Sequence, residues 1–257
     1  MSTPTDAAPS DVAAIVRGVM SRHRTVRAFR PDPVPDAVIA RCVAAAQQAP
    51  TSSWVQAYSL LQVTDPDRRA RLVELTGGQP QVARAGAFFV VCADVRRHHL
   101  VAERLGKPHA ANLESFLVAV IDAALFAQDL TLAFEAEGYG TCMIGGLRNE
   151  LPAADALLGL PHGVWPLFGV CVGVPDPAVP TATRPRLPVE AVWVKDSYPD
   201  DDALWALIEQ HDASAAEHYA ARGLAGRNWS GGLWRKFARP FREHLAAFYQ
   251  GKGARLD

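Results

Sequence analysis

Two guanidinium groups and an imidazole crowd one short stretch at His23, Arg24 and Arg27, between a helical segment and a Pro-rich loop. Held that close they repel one another and cost side-chain entropy unless an anion collects them. Arginine suits phosphate, because its planar fork donates two parallel hydrogen bonds. A second basic pair, Arg184 and Arg186, flanks Pro185, and a third, Arg222 and Arg227, sits among glycines. Each group taken alone also reads as a solvated surface loop. Three other stretches offer hydroxyls, an amide or bare backbone: Thr51, Ser52 and Ser53 after Pro50, Gln79 after Gly77 and Gly78, and Ile144, Gly145 and Gly146. By themselves they are a helix-to-strand turn, a tight turn, and a strand end where missing side chains admit a planar group.

Other chemistry is disfavoured by spacing. The stretch from Gly138 to Gly146 is glycine-rich like a dinucleotide loop, but the third glycine of that motif would fall at Met143. Asp94 and His98 have no partner for acid–base work and read as structural or surface residues. Cys42, Cys92, Cys142 and Cys171 lie scattered in apolar runs, without CxxC spacing or a Cys/His cluster, so reduced core thiols and no metal site are expected.

The elements that must position these residues follow from periodicity. Val12, Ile15, Val16, Val19 and Met20 mark a helix from Asp11 to about Ser21, and Pro35 and Asp36 open a second that ends near Pro50. Strands are predicted at Tyr58 to Val63, Phe88 to Ala93, Thr141 to Ile144 and Pro166 to Val174, the last buried on both faces. A helix is expected from Pro66 to Leu75. A long one, Asn112 to Glu137, is apolar around most of its circumference and so belongs in a core or at a subunit interface. Pro175 to Pro188 is a loop. A helical excursion spans about 200–232, with a Gly-rich break from Gly223 to Gly232, and a C-terminal helix covers 233–250. Trp54 is either a pocket wall or core packing.

The 257 residues, 49% hydrophobic and 21% charged, suit one large domain over residues 11–257 with an attached excursion, after a disordered leader at 1–10. A formal net charge of -1 provides no field for nucleic acid or membrane. The basic run from Arg235 to Arg242 reads as the solvated face of one helix. Met1 to Ser10 lacks the pattern of a signal peptide, and Asp122, Gln128 and Asp129 interrupt the longest apolar stretches, so no membrane helix is expected. The expectation is a soluble, cytoplasmic protein of α+β class, with a mixed central sheet wrapped by helices.

In this order the stretches His23–Arg27, Pro50–Ser53, Thr76–Gln79, Ile144–Arg148 and Arg184–Arg186 resemble the oxygen-insensitive, NADPH-dependent nitroreductase and flavin reductase family, from about Ser21 to the C-terminus. The resemblance implies a nitroreductase-like fold and a homodimer with FMN at the subunit interface. It implies that His23, Arg24, Thr25, Arg184 and Arg186 serve the FMN phosphate end. Thr51, Ser52 and Ser53 would serve the ribityl chain and ring, and Gln79 the pyrimidine edge. Arg27 would lie near N1 and O2, and the backbone of Ile144, Gly145 and Gly146 would face N5. Arg222 and Arg227 would bind the 2′-phosphate of NADPH. No side chain is assigned a catalytic role, since FMN carries the chemistry. Hydride would pass from NADPH through FMN to quinones or nitroaromatics by a ping-pong mechanism. The alternatives are a reductase that releases reduced FMN, and a non-redox flavin- or small-ligand-binding module. The sequence departs from the family at Pro50 and Thr51, where serines are usual, at Met143, where some members carry an aromatic, and at Arg184, commonly lysine.

Overall fold

The computed structural model describes residues 11–179 and 181–256, so the leader expected at 1–10 lies outside the described residues. The chain divides into two compact units: one runs up to Thr181 and resumes at His244, and the other is Ala182–Glu243. The first unit contains α1 (Asp11–Ser21), α2 (Asp36–Ala46), β1 (Tyr58–Gln62), α3 (Pro66–Leu75), α4 (Gln81–Arg84) and β2 (Ala87–Asp94). It continues with α5 (Arg96–Arg104), α6 (Leu113–Ala136), β3 (Gly140–Ile144), α7 (Leu151–Leu158) and β4 (Val164–Gly173). The second unit holds α8 (Asp201–Ala220) and α9 (Trp229–Phe237), after which α10 (Leu245–Gly251) returns to the first.

The four strands lie in the order β1-β2-β4-β3, and every neighbouring pair is antiparallel. The parallel component of the expected mixed sheet reduces, among the described residues, to one isolated bridge between Thr25 and Thr141. β2 shows why the core has two halves. Its side chains alternate between faces, sending Phe89, Val91 and Ala93 into a cluster with α2 and α6. Phe88, Val90 and Cys92 enter a second cluster with α3, α4 and α7. Pro166 stands within central β4 because the β2–β4 register shifts at Val91/Cys92, a bulge that accommodates a residue without an N–H.

α6 starts at a reciprocal cap: Ser115 N donates to Asn112 Oδ1 at 2.9 Å, and Asn112 N donates to Ser115 Oγ at 3.1 Å. It buries Ala123, Phe126, Leu130 and Phe134 against the sheet, and Leu117, Ile121 and Leu125 form an exposed stripe on another face. Despite Asp122, Gln128 and Asp129, α6 is long and apolar enough, by length and composition alone, to cross a membrane, where none was expected. Its packing against the sheet is that of a core helix.

The helix expected over 233–250 is two helices. Residues 238–244 separate α9 from α10, and Pro240 within them removes a helical donor. α10 and the residues after it are tied to β4: Tyr249 Oη donates to Pro166 O at 3.0 Å and Trp165 Nε1 to Lys252 O at 3.1 Å. All four cysteines are free and buried. Burial raises each thiol, Cys92 to about 12, which leaves them unreactive as nucleophiles.

Candidate functional site

The segment carrying His23, Arg24, Thr25 and Arg27 lies along the outer edge of β3. Val26 N donates to Thr141 O at 2.9 Å, and Val26 itself is buried. This approach requires glycine at position 140, because a Cβ there would stand 2.6 Å from Val26 Cγ2. His23 is fixed from α6: its Nδ1 lies 2.8 Å from Glu135 Oε1, which also accepts from Thr141 Oγ1 at 2.7 Å. A carboxylate accepts, so Nδ1 donates, and Nε2 can donate to an anion only from the doubly protonated ring.

Arg24 and Arg27 are exposed, and among the described residues neither has a carboxylate at salt-bridge distance. Arg30 and Arg41 nearby in the chain, by contrast, pair with Asp32 at 3.0 Å and Glu137 at 3.1 Å. The backbone is thus anchored while two guanidinium forks stay available, the donor set an anionic cofactor requires. The positive charge of Arg27 reaches Cys142 on β3, where it opposes the larger upward push of burial on that thiol.

At the far end of β3 a second pair of segments meets. Gly77 and Gly78, at φ 84 and 74, turn the chain out of α3 in a conformation that glycine adopts without strain. Gln79 Nε2 then donates to Thr76 O at 2.9 Å, and Gln79 Oε1 accepts from Gln81 Nε2 at 3.1 Å. One N–H and one lone pair of the Gln79 amide remain for a ligand. Gly146 packs directly on this turn, where a Cβ would come within 2.3 Å of both Gln79 Nε2 and Thr76 O. Gly145 is open: a Cβ there would meet only Arg148 Nη2, at 3.5 Å. The Ile144 side chain is fully buried, so only its backbone can face a ligand, whereas Met143 points outward and is 46% exposed.

Thr51, Ser52 and Ser53 do not join this group within one chain. Their loop is bonded to the middle of α6, where Asp122 Oδ1 accepts from Ser52 N and Oδ2 from Ala57 N, both at 3.0 Å. Asp122 and Glu135 are about 20 Å apart along α6 at the ordinary helical rise. β1 and β3 are also opposite edges of the sheet. Trp54 is 83% exposed, which removes the core-packing alternative. Asp94 Oδ1 accepts from Arg96 N at 2.8 Å just before α5, and His98 Nε2 bonds Val55 O at 2.7 Å, so both are structural. Asp122 and Glu135, which anchor these two segments, carry no site role in the sequence pattern alone. The signal for Asp122 is a carboxylate within an apolar run, whereas Glu135 lies in the last turn of α6 and gives none.

In the second unit, Arg184 and Arg186 are exposed, and Arg186 Nη1 donates to Arg184 O at 3.0 Å. Arg222 and Arg227 are exposed on the loop between α8 and α9, beside Gly223 and Gly226 at φ 72 and 79. Asp212 of α8 fixes the far end of that loop, accepting from Asn228 Nδ2 at 3.0 Å, from Ser230 N at 2.8 Å and from Ser230 Oγ. Burial alone would raise its carboxyl, but the hydrogen bonds from Ser230 and Trp229 outweigh it and hold the group below the usual range.

Comparison with known proteins adds to this geometry. Residues 20–174 match the nitroreductase family, and residues 184–257 match the C-terminal domain of the nitroreductase family. The chain is 38% identical to the FMN reductase (NADPH) of Bacillus subtilis strain 168, over 90% of this chain and 94% of that protein. It is 37% identical to the oxygen-insensitive NADPH nitroreductase of Salmonella typhimurium strain LT2, again over 90% and 94%. Among solved structures, the NfrA1 nitroreductase of Bacillus subtilis superposes with a TM-score of 0.89 at 36% identity, covering 94% of this chain and all of that one.

Proposed function

The chain belongs to the nitroreductase family, and on that premise we propose an NADPH-dependent FMN oxidoreductase that delivers hydride to quinones and nitroaromatic compounds. The observation that carries this reading is the anchored segment with two unpaired forks, Arg24 and Arg27, on the same strand edge as Gln79 and the open backbone at Gly145. His23 and Arg24, with Thr25 beside them, hold the flavin phosphate. Arg27 supplies fixed positive charge where reduction leaves negative charge on the ring. Gln79 bonds the pyrimidine edge, and Gly145 leaves room for the ring to lie against backbone. Within the second unit, the exposed Arg184 and Arg186 are anion-binding forks suited to a phosphate, and Arg222 and Arg227 read the 2′-phosphate of NADPH. Bound FMN would supply two-electron hydride chemistry, with NADPH as the donor and the oxidant as the acceptor in ping-pong order.

The working form is a homodimer. One chain holds Thr51–Ser53 about 20 Å along α6 from the His23 segment, a span that two-fold pairing of chains closes. The exposed stripe of Leu117, Ile121 and Leu125 is a suitable contact for that pairing. Buried free thiols and the use of NADPH accord with the cytoplasm.

Anaerobic titration of the FMN-loaded protein tests the reading. NADPH should bleach the flavin band stoichiometrically and much faster than NADH. Arg222→Ala and Arg227→Ala should slow NADPH and spare NADH, narrowing the preference by about tenfold or more for each lost charged hydrogen bond. A band that neither nucleotide bleaches would leave a ligand-binding module. The same preparation should sediment as a dimer, and a flavin-loaded monomer would overturn the shared site. The similarity to an FMN reductase favours one second reading, a reductase that releases reduced FMN. Turnover of free FMN as a substrate distinguishes it.

A further inference from the structure

The loop from Thr51 to Ala57 is the most strained backbone among the described residues. Ser53, Trp54 and Gln56 carry φ of 49, 60 and 52, a left-handed conformation that residues with a Cβ avoid. No glycine relieves it. Three groups hold it instead. Asp122, wholly buried on α6, takes the N–H of Ser52 on one carboxylate oxygen and that of Ala57 on the other, each at 3.0 Å, and so closes both ends of the loop. From α5, Arg97 Nη2 donates to Gln56 O at 3.0 Å and to Tyr58 O, while His98 Nε2 bonds Val55 O at 2.7 Å. The clamped loop contributes little to the core at its tip: Ser52, Ser53 and Trp54 are all exposed.

A carboxylate in an apolar helix is expensive to bury unless hydrogen bonds compensate it. Here the compensating donors are the two backbone amides that bracket the strained tip, so desolvation and strain are both committed to one loop geometry. Persistent strain of this kind, over-determined by its surroundings, is the signature of a segment held for binding. We infer that Asp122 is a positioning residue, which sets the hydroxyls of Ser52 and Ser53 for the flavin through the closed Thr51–Ala57 loop. The inference rests on the proposal that this loop contacts FMN.

Asp122→Asn tests it with little change of volume. One amide oxygen still accepts, while the new NH2 opposes a backbone N–H and opens one end of the loop. In the full-length protein loaded with FMN, Asp122→Asn should raise the FMN Kd by at least tenfold. Ser52→Ala/Ser53→Ala should also raise it. Adding Asp122→Asn to that double variant should raise it little further, because the carboxylate acts through those residues. Arg97→Ala, which removes a clamp from an exposed position, should shift the Kd in the same direction by a smaller factor. A changed urea midpoint with unaltered FMN Kd in Asp122→Asn overturns the inference and leaves the loop's flavin contact standing. An unaltered Kd in the double serine variant overturns both. Should Asp122→Asn not fold, an unaltered Kd in Arg97→Ala overturns the positioning role, and a raised one supports it.

Discussion

Arg24→Ala is expected to weaken FMN binding by about 10- to 150-fold, the loss of about 1.5–3 kcal/mol for a hydrogen bond to a charged group. The magnitude follows from the surroundings of the side chain. Arg24 is exposed, and no carboxylate among the described residues neutralises it, so its fork has no competing partner when a phosphate arrives. For the same reason its removal leaves no buried charge behind, and unfolding free energy should move by no more than about 0.5 kcal/mol. Arg24→Lys keeps the charge and loses the fork, so it should fall between wild type and alanine. Arg30→Ala is the control within the same segment: Arg30 is paired with Asp32 at 3.0 Å, and flavin affinity should be unchanged. Quenching of flavin fluorescence during titration of the apoprotein gives each Kd. An unchanged value for Arg24→Ala would remove the phosphate assignment from this segment.

Much of the frame that holds Arg24 is written in local chemistry. β2 and β4 are unbroken apolar runs because both faces of each are covered, and α6 is apolar nearly all round because it packs on the sheet with one face and leaves Leu117, Ile121 and Leu125 outside on another. Such patterns are visible without coordinates. The bulge that admits Pro166 is not, since it depends on the register of a neighbouring strand. The same limit applies to the site. The basic stretch at His23–Arg27 announces itself by charge, but its pinning by Glu135 joins residues far apart in sequence. Asp122 reads along the chain as an interruption of a helix, and only its two amide partners show that it closes a strained loop. Nor does sequence order indicate that Thr51–Ser53 and His23–Arg27, both early in the chain, sit at different levels of α6. That separation is set by tertiary contacts, and it is the reason the proposed site draws on a second chain.

Gly145 and Gly146 allow the strand end to be tested residue by residue, because adjacent glycines face different neighbours. In Gly146→Ala the new methyl would lie 2.3 Å from Thr76 O and from Gln79 Nε2. The amide could rotate, but Thr76 O belongs to the backbone leaving α3, so the two segments must separate. Overpacking of this kind costs about 1–3 kcal/mol and should lower the urea midpoint accordingly. It would also displace Gln79 from the hydrogen bond that aims its amide, so flavin affinity and stability should fall together. Gly145→Ala meets only the end of Arg148 at 3.5 Å, an ordinary contact, and stability should be nearly unchanged. If the ring lies against this backbone, the Gly145 methyl enters space that the flavin needs, and affinity falls while the urea midpoint holds. Loss of affinity without loss of stability at position 145, set against coupled loss at 146, would place the ring on the Gly145 side of the strand end. Full flavin affinity in Gly145→Ala would move the ring elsewhere on the β3 edge, while leaving the phosphate assignment of Arg24 to stand on its own titration.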